Sequence, residues 1–564
     1  MRAIKHILIT CCVGLTLFSC DYLDEKPYEY WQPEDTFIDY DKTIQLLNSV
    51  YIAMPNGFST YSGAFLDAST DDGAHVNPSN QMYKLGQGYV TEINPIENQW
   101  YSLYMGIRRT LYFEQYIPLL QNVAGWKDEQ VLRYKEMAVA ESKTVRALYY
   151  FELAKRYGGV PLVKKTYSLD DTEIITLPRN SFKECIDYIV QLCDEADEAF
   201  AKYNQVTTGQ RTFGFLCTRA CALAVKAKTL AYAASPLYNN VSDPLQGYAD
   251  GNIQERLIGA AKALKRVIDL DPAKLKLYPN YEKLFNVQPN QNTEYIVYTG
   301  NLKSYNLERL LYPPSQLGQG NTCPTQNFVS AFEKKNGSAN NMQAADRYEN
   351  MDPRFYTTVV YDGAKLGSRG IIDISGKESQ DAIGKISLSS TVTGYYLRKF
   401  LDTNINLSAP TIATTHHYFP VIRLADIYLL YAEMMNEAYG PDNASDLGLT
   451  ALDALNKVRQ RAGISEIAGG SKEEVKTKIR NERRIELSFE DQRYFDLRRW
   501  KLAEVALNQP VTGFRIEKEN DVISSATEFV VDSQRRFHTR MYYAPIPYGE
   551  MQLNKNLVQN PGWR

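Results

Sequence analysis

The sequence predicts a mainly α-helical protein: a scaffold of tetratricopeptide-like helical hairpins with a loop-rich portion that contains short β-strands. Three observations carry that prediction. Apolar residues recur at helical spacing in paired segments joined by short turns. Glycines stand where those segments should stop. Between about residues 275 and 420 the helical period gives way to short apolar runs set among Gly, Asn, Ser and Pro.

The first element is not part of the fold. Residues 1–20 read MRAIKHILITCCVGLTLFSC, with Arg2 and Lys5 ahead of an apolar run from Ile7 to Phe18. This is the layout of a secretory signal. It falls short of the roughly 20 apolar residues a membrane-spanning helix needs. Leu17-Phe18-Ser19-Cys20 follows the pattern of a bacterial lipobox, so Cys20 is expected to be the acylated first residue of the mature chain. Cys11 and Cys12 are weaker candidates, because the apolar run before them is too short. Residues 1–19 are thus assigned to the signal peptide and 20–40 to a lipidated tether. Then come an N-terminal helical region (41–274), the loop-rich region (275–420) and a C-terminal helical region (421–564).

Losing Arg2 and Lys5 takes the formal charge from −3 to −5, which argues against nucleic acid as a partner. A mean hydropathy of −0.39 is ordinary for a water-soluble globule, so the mature part is expected to be held to the membrane by lipid alone. Beyond Cys20 the cysteines are Cys185, Cys193, Cys217, Cys221 and Cys323, an odd number without CxxC spacing. They read as buried free thiols, with a disulfide between the helices carrying Cys185/Cys193 and Cys217/Cys221 as the alternative.

From Asp41 to Tyr116, helical stretches alternate with a long polar loop, Asp71 to Asn94. Loops of that length inside a domain are usually functional or disordered. In residues 138–163 the apolar positions Val145, Leu148, Tyr149 and Leu153 keep helical spacing, Gly158-Gly159 supply a cap, and Pro161 stops the helix. Further helices are predicted over 181–200, 217–235 and about 254–268, and a last pair over 424–440 and 449–463, ended by Gly440 and Gly463. Strand-like pieces occur at 295–300, 357–363 and 394–400.

Six blocks, in order, match a known family. They are CDYLDEKP (20–27), LYYFELAKRYGGVPLV (148–163), NTCPTQNFVSAFEKKNG (321–337) with MDPRF (351–355), FPVIRLADIYLLYAEMMNEA (419–438), IRNERRIELSFEDQRYFDLRRW (479–500) and PIPYGEMQLNKNLVQNPGW (545–563). On these the chain resembles the SusD/RagB glycan-binding outer-membrane lipoproteins over essentially its whole mature length. One departure is Asp491-Gln492, where that family more often has glycine after the glutamate. Another is Tyr22, which makes the acidic stretch after Cys20 less dense than usual.

The resemblance implies a lipid-anchored protein on the outer face of the outer membrane. Such a protein is not a hydrolase: it captures a glycan for a SusC-type TonB-dependent transporter. The helical hairpins would face the transporter and the loop-rich portion would carry the glycan. No cofactor is implied, and calcium is left open.

The residues themselves offer no convincing nucleophile. Neither HExxH nor GxSxG occurs, and Gly86-Gln-Gly88 and Gly318-Gln-Gly320 read as turns. His416 and His417 on an extended strand would point to opposite faces. Asp71-Asp72 and Glu486/Glu490 could be imagined as a glycosidase pair. Glu486 and Glu490, however, lie among Arg480, Glu482, Arg483, Arg484 and Arg493, where alternating charge reads as a structural ion-pair network.

Tyrosine is abundant, 41 residues against 21 Phe and 5 Trp, and it offers a sugar both a flat face and a hydroxyl. Tyr149, Tyr150, Tyr428 and Tyr431 lie on helix faces and read as core. Trp100 shares a face with Tyr104 and Ile107 and reads as core too. The glycan-binding candidates are therefore Tyr83 and Tyr89 in the polar loop and Tyr305 and Tyr312 before the central block. Asp72, Asn77, Asn80, Arg309 and Gln316 are their polar partners. Two other function classes stay open: a structural or peptide-binding lid of the transporter, and a surface glycosidase.

Overall fold

A computed structural model describes residues 36–58, 61, 63–168, 170–204, 217–300, 303–367, 370–520 and 522–563. The signal peptide, Cys20 and most of the tether lie outside the described residues.

Ten helices of seven residues or more lie along the described chain: α1 Tyr40–Ser49, α2 Trp100–Tyr116, α3 Asp128–Tyr157, α4 Phe182–Lys202, α5 Arg219–Ala233, α6 Ile253–Ile268, α7 Leu424–Tyr439, α8 Ala451–Ala462, α9 Lys472–Glu486 and α10 Arg493–Arg499. Local chemistry sets their ends. Ser181 with Glu184, Thr450 with Asp453 and Ser471 with Glu474 form capping boxes that satisfy the first backbone N–H groups of α4, α8 and α9. At the other end, α3 stops at Gly158 with φ 76°, where a Cβ would meet the Leu245 carbonyl oxygen at 2.3 Å. Gly440 and Gly463 end α7 and α8 with positive φ in the same way, as expected from the sequence.

The predicted helices form, and α3 begins ten residues before the predicted start at 138. Its first turns, DEQVLRYKEM, bury only Val131, so no apolar period marks them. Good helix formers carry that stretch.

Neighbouring helices pack in a row, α2 on α3, α3 on α4, α4 on α5 and α5 on α6. The row then continues from α6 straight to α7, and from α7 to α8 and α9. The whole segment 269–423 is therefore an excursion that leaves the row and returns to it. Its ends are tied by an antiparallel ladder between two of its six-residue strands, Tyr295–Gly300 and Tyr418–Arg423, the second leading directly into α7.

In chain order the strands are β1 Gly73–His75, β2 Tyr295–Gly300, β3 Thr322–Pro324, β4 Val359–Val360, β5 Tyr396–Leu397, β6 Tyr418–Arg423, β7 Val511–Glu519 and β8 Val522–Asp532. Three expectations are corrected here. The predicted strands over 357–363 and 394–400 shrink to the two-residue β4 and β5. The Asp71 to Asn94 stretch holds β1 and a short helix, Gln81–Gly86. The longest strands, the β7–β8 hairpin, lie in the part assigned to helices.

The five described cysteines are free and buried, so the disulfide alternative does not form. Among the described residues no helix is long and apolar enough to cross a membrane.

Candidate functional site

Two stretches far apart in sequence are joined by a short ladder. β1 pairs antiparallel with β3, and the Val76 N–H donates to the Asn321 carbonyl at 3.1 Å, so the Asp71 to Asn94 stretch leaves from the side of β3. The residues leading into β3 also hold the short helix Asn306–Leu311. Gln319 N–H donates to Arg309 O and Asn321 N–H to Leu310 O, both at 3.0 Å. Gly320 makes this approach feasible: it has φ 52°, and a Cβ there would meet the Ser389 carbonyl oxygen at 2.5 Å.

In the first stretch Asn80 caps the helix Gln81–Gly86 by accepting from Met82 N–H at 2.8 Å, and Asn77 accepts from Ser79 N–H at 2.9 Å. Tyr83 is half-buried, and its hydroxyl accepts from Gln87 Nε2 at 3.0 Å. Burial first, and Asp532 second, push that phenol above its ordinary range. Tyr89, just past the helix, is 63% exposed. Tyr305 is half-buried at the start of Asn306–Leu311, and Arg309 is exposed on it. The β1–β3 ladder thus links the elements that carry Asn77, Asn80, Tyr83, Tyr89, Tyr305 and Arg309.

Asp72 and Tyr312 have no surface to give a ligand and drop out as glycan contacts. Asp72 is fully buried and accepts from Arg484 Nε at 2.6 Å. Tyr312 is 2% exposed, with its hydroxyl donating to the carbonyls of Asp402 at 2.9 Å and Ile405 at 3.2 Å. Gln316 is buried as well.

The acidic pairs are structural. Glu486 is fully buried and receives three guanidinium groups: Arg354 at 2.8 Å, Arg423 at 2.6 Å, and Arg461. Burial alone would raise its pKa, but Arg461, Arg423 and Arg354 hold it well below the usual carboxylate range. Glu490 accepts from Arg423 Nε at 2.8 Å and Lys399 Nζ at 2.7 Å. Asp71 is clamped by Arg484 and Arg493 at 3.1 and 2.8 Å. The expected ion-pair network therefore exists, but the partners of Glu486 and Glu490 come from other elements rather than from their own helix neighbours. His417 is buried between Phe400 O and Glu308, while His416 stacks against Tyr418 at 6.1 Å, so the two histidines do point apart.

The sequence reading passed over one residue. Trp100 is core, 4% exposed, but its neighbour Tyr101 is 73% exposed at the mouth of a cleft of about 360 Å³. The cleft lies between α2, residues 161–177 and residues 550–557. The signal was available: one step along a helix turns a side chain by about 100°, which carries Tyr101 off the face shared by Trp100, Tyr104 and Ile107. A second concavity, of about 430 Å³, mixes Tyr281 and Tyr356 with Asn280, Glu282 and Arg398, the last two ion-paired at 2.9 Å.

Comparison with known proteins places this architecture. A model of the SusD family matches residues 280–563, and a second, described as starch-binding and associating with the outer membrane, matches residues 21–228. A SusD-like protein of Formosa agariphila is 24% identical over 601 residues, covering 100% of both chains. Among solved structures, a SusD-like protein from Bacteroides fragilis NCTC 9343 superposes with TM-score 0.76 at 24% identity, covering 94% of this chain and 100% of its own. A SusD-like carbohydrate-binding protein from the same strain gives TM-score 0.74 at 20% identity over 93% and 100%. A laminarin-binding SusD-like protein gives 0.60 at 21% over 93% and 100%. At these identities the structural likenesses establish the fold.

Proposed function

The chain belongs to the SusD family, and from that premise we propose that it captures an oligosaccharide or polysaccharide at the outer membrane and passes it to a SusC-type TonB-dependent transporter. It is lipid-anchored through Cys20, faces the cell exterior, and acts by binding without turnover. The family match carries this reading, because it spans both ends of the mature chain.

The glycan lies on the loop-built face. Tyr89 offers an exposed ring for a sugar's apolar side, Tyr83 a hydroxyl already oriented by Gln87, and Arg309, Asn77 and Asn80 polar groups around them. Ligand sites on loops held by a rigid scaffold fit this division, with the helical row supplying the rigidity.

A strain lacking this gene should grow poorly on the cognate polysaccharide at low concentration. The wild-type gene should restore growth and Tyr89→Ala should not. Full growth of the deletion strain on every polysaccharide its transporter imports would overturn the proposal.

A further inference from the structure

The second concavity lies where the excursion meets the end of α8. Four segments build it: residues 279–282, the short helix Pro353–Thr358, Arg398 just past β5, and Arg461 in the last turn of α8. At about 430 Å³ it has the size of a small-ligand pocket. None of its residues belongs to the set proposed above for the glycan.

The polar groups left over on this wall are mostly donors. Arg398 spends only Nη2, on Glu282 Oε1 at 2.9 Å, and among the described residues its Nε and Nη1 have no acceptor. Asn280 uses its side-chain oxygen to cap Lys283 N–H, which leaves its Nδ2. Arg461, with its side chain 4% exposed, gives its terminal nitrogens to Tyr278 O, Glu294 and Glu486, and its buried Nε has no partner. The hydroxyls of Tyr281 and Tyr356 are already donated, to Glu486 O and Tyr348 O. The Thr357 hydroxyl serves either way. Against these donors, Glu282 Oε2 is the one unspent carboxylate oxygen on the wall.

Spare donors call for a ligand that brings acceptors. A carboxylate is acceptor-only, and it matches the fork of a guanidinium. Charge decides how it is admitted. Glu294 and Glu486 share the charge of Arg461, so that residue offers a donor rather than net attraction. Arg398 is held by one bond to Glu282, whose side chain is 62% exposed, and exposed pairs of this kind stabilise little. Glu282 can swing into water and leave the guanidinium to an incoming carboxylate. The apolar lining fits what such a ligand carries behind it: Pro279, Pro353 and the half-buried ring of Tyr356 stand beside the donors and suit the C–H face of a sugar ring.

We infer that this pocket is a separate site for an acidic sugar, a uronic acid unit whose carboxylate Arg398 takes in place of Glu282. The inference deepens the glycan capture proposed above, on which it rests, by giving the captured glycan carboxylate-bearing units.

The test is a saturation-transfer NMR titration of the full mature chain with methyl glucuronide, methyl galacturonide and methyl glucoside. At least one uronide should bind saturably and at least tenfold more tightly than the glucoside. Arg398→Ala should weaken that binding at least tenfold. Glu282→Gln, which removes the internal competitor, should tighten it at least threefold. Tyr89→Ala should leave it unchanged, and so should equimolar sodium sulfate.

Uronides bound no better than the glucoside, binding unchanged in Arg398→Ala, no gain in Glu282→Gln, or binding lost in Tyr89→Ala would overturn the acidic-sugar site and leave capture on the loop-built face standing. Displacement by equimolar sulfate would overturn it too, reducing the pocket to a site for any anion. Affinity electrophoresis of the same chain through soluble polysaccharides reads the capture itself, and a wild-type chain retained by none of them would overturn that reading together with the role given to the pocket.

Discussion

Glu486 and Tyr89 mark two opposite ways of placing polar chemistry in one molecule. Glu486 is fully buried and gripped by Arg354, Arg423 and Arg461 from three other elements. Tyr89 stands 63% exposed at the end of a short helix and contributes little to the fold. The ionic seam joins the 269–423 excursion to the C-terminal helices: Glu294, Arg354 and Lys399 of the excursion pair with Arg461 of α8, Glu486 of α9 and Glu490 of the turn after it. If Tyr89 serves the proposed recognition, stability and recognition rest on different side chains, and substitutions should separate them cleanly.

The largest effect is expected in the seam. Arg423→Met leaves Glu294, Glu486 and Glu490 each short of a partner in the interior. Removing one member of a buried ion pair costs about 3–5 kcal/mol, to be read from urea unfolding. A loss under 1 kcal/mol would mean that water reaches the seam.

Next comes the turn after α9. Asp491 has φ 57°, a region that favours glycine, and burial raises its carboxyl to about 7 against the partial opposition of Lys155 and Arg156. Glu152 and Asp67 also face it. The unfolded chain releases this proton near pH ~4. Between there and pH 7 the folded state holds one proton more, so its contribution is full at low pH and is lost as pH rises through 7. The expected fall in stability is on the order of 3 kcal/mol across that window. Asp491→Asn should flatten it in melting curves, and a slope unchanged by the substitution would count against the assignment.

On the face the order reverses. Tyr89→Ala should leave unfolding within about 0.5 kcal/mol of wild type while weakening glycan binding about tenfold, roughly 1.4 kcal/mol. Calorimetry reads both the affinity and any residual site. The smallest effect sharpens the boundary: Tyr312→Phe should lose about 1 kcal/mol of stability, because the Ile405 carbonyl is left without its donor while the Asp402 carbonyl keeps the Ile405 N–H, with glycan affinity untouched. A fall in affinity would return Tyr312 to the site.

Much of the scaffold was legible because helices announce themselves locally. Gly158, Gly440 and Gly463 end helices where a positive φ is required, and Ser181, Thr450 and Ser471 begin them. The β7–β8 hairpin has a local signal too, the alternation in VTGFRIEKE followed by the turn-favouring residue types Asn and Asp, but helical blocks surround it in sequence. The first turns of α3 carried no apolar period to read.

The site was only partly legible. Composition points to loop tyrosines but cannot say which ring faces solvent. Asp72 and Tyr312 resemble Tyr89 in sequence setting, yet the first is captured by Arg484, more than four hundred residues away, and the second by carbonyls of another loop. Burial created by long-range partners leaves no local trace. The Asp491 departure from the family pattern was visible in sequence, and its physical consequence, a half-buried acid with a buried carboxyl oxygen at a positive φ, needed the fold.

The central claim is capture without turnover on the loop-built face. It is tested most directly by affinity electrophoresis of the mature chain, with Cys20 omitted, through gels containing a panel of soluble polysaccharides, with reducing ends assayed afterwards. The account predicts retardation by at least one polysaccharide, loss of that retardation in Tyr89→Ala, and no new reducing ends. Migration unaffected by every polysaccharide, or reducing sugar released by the wild-type chain, would contradict it.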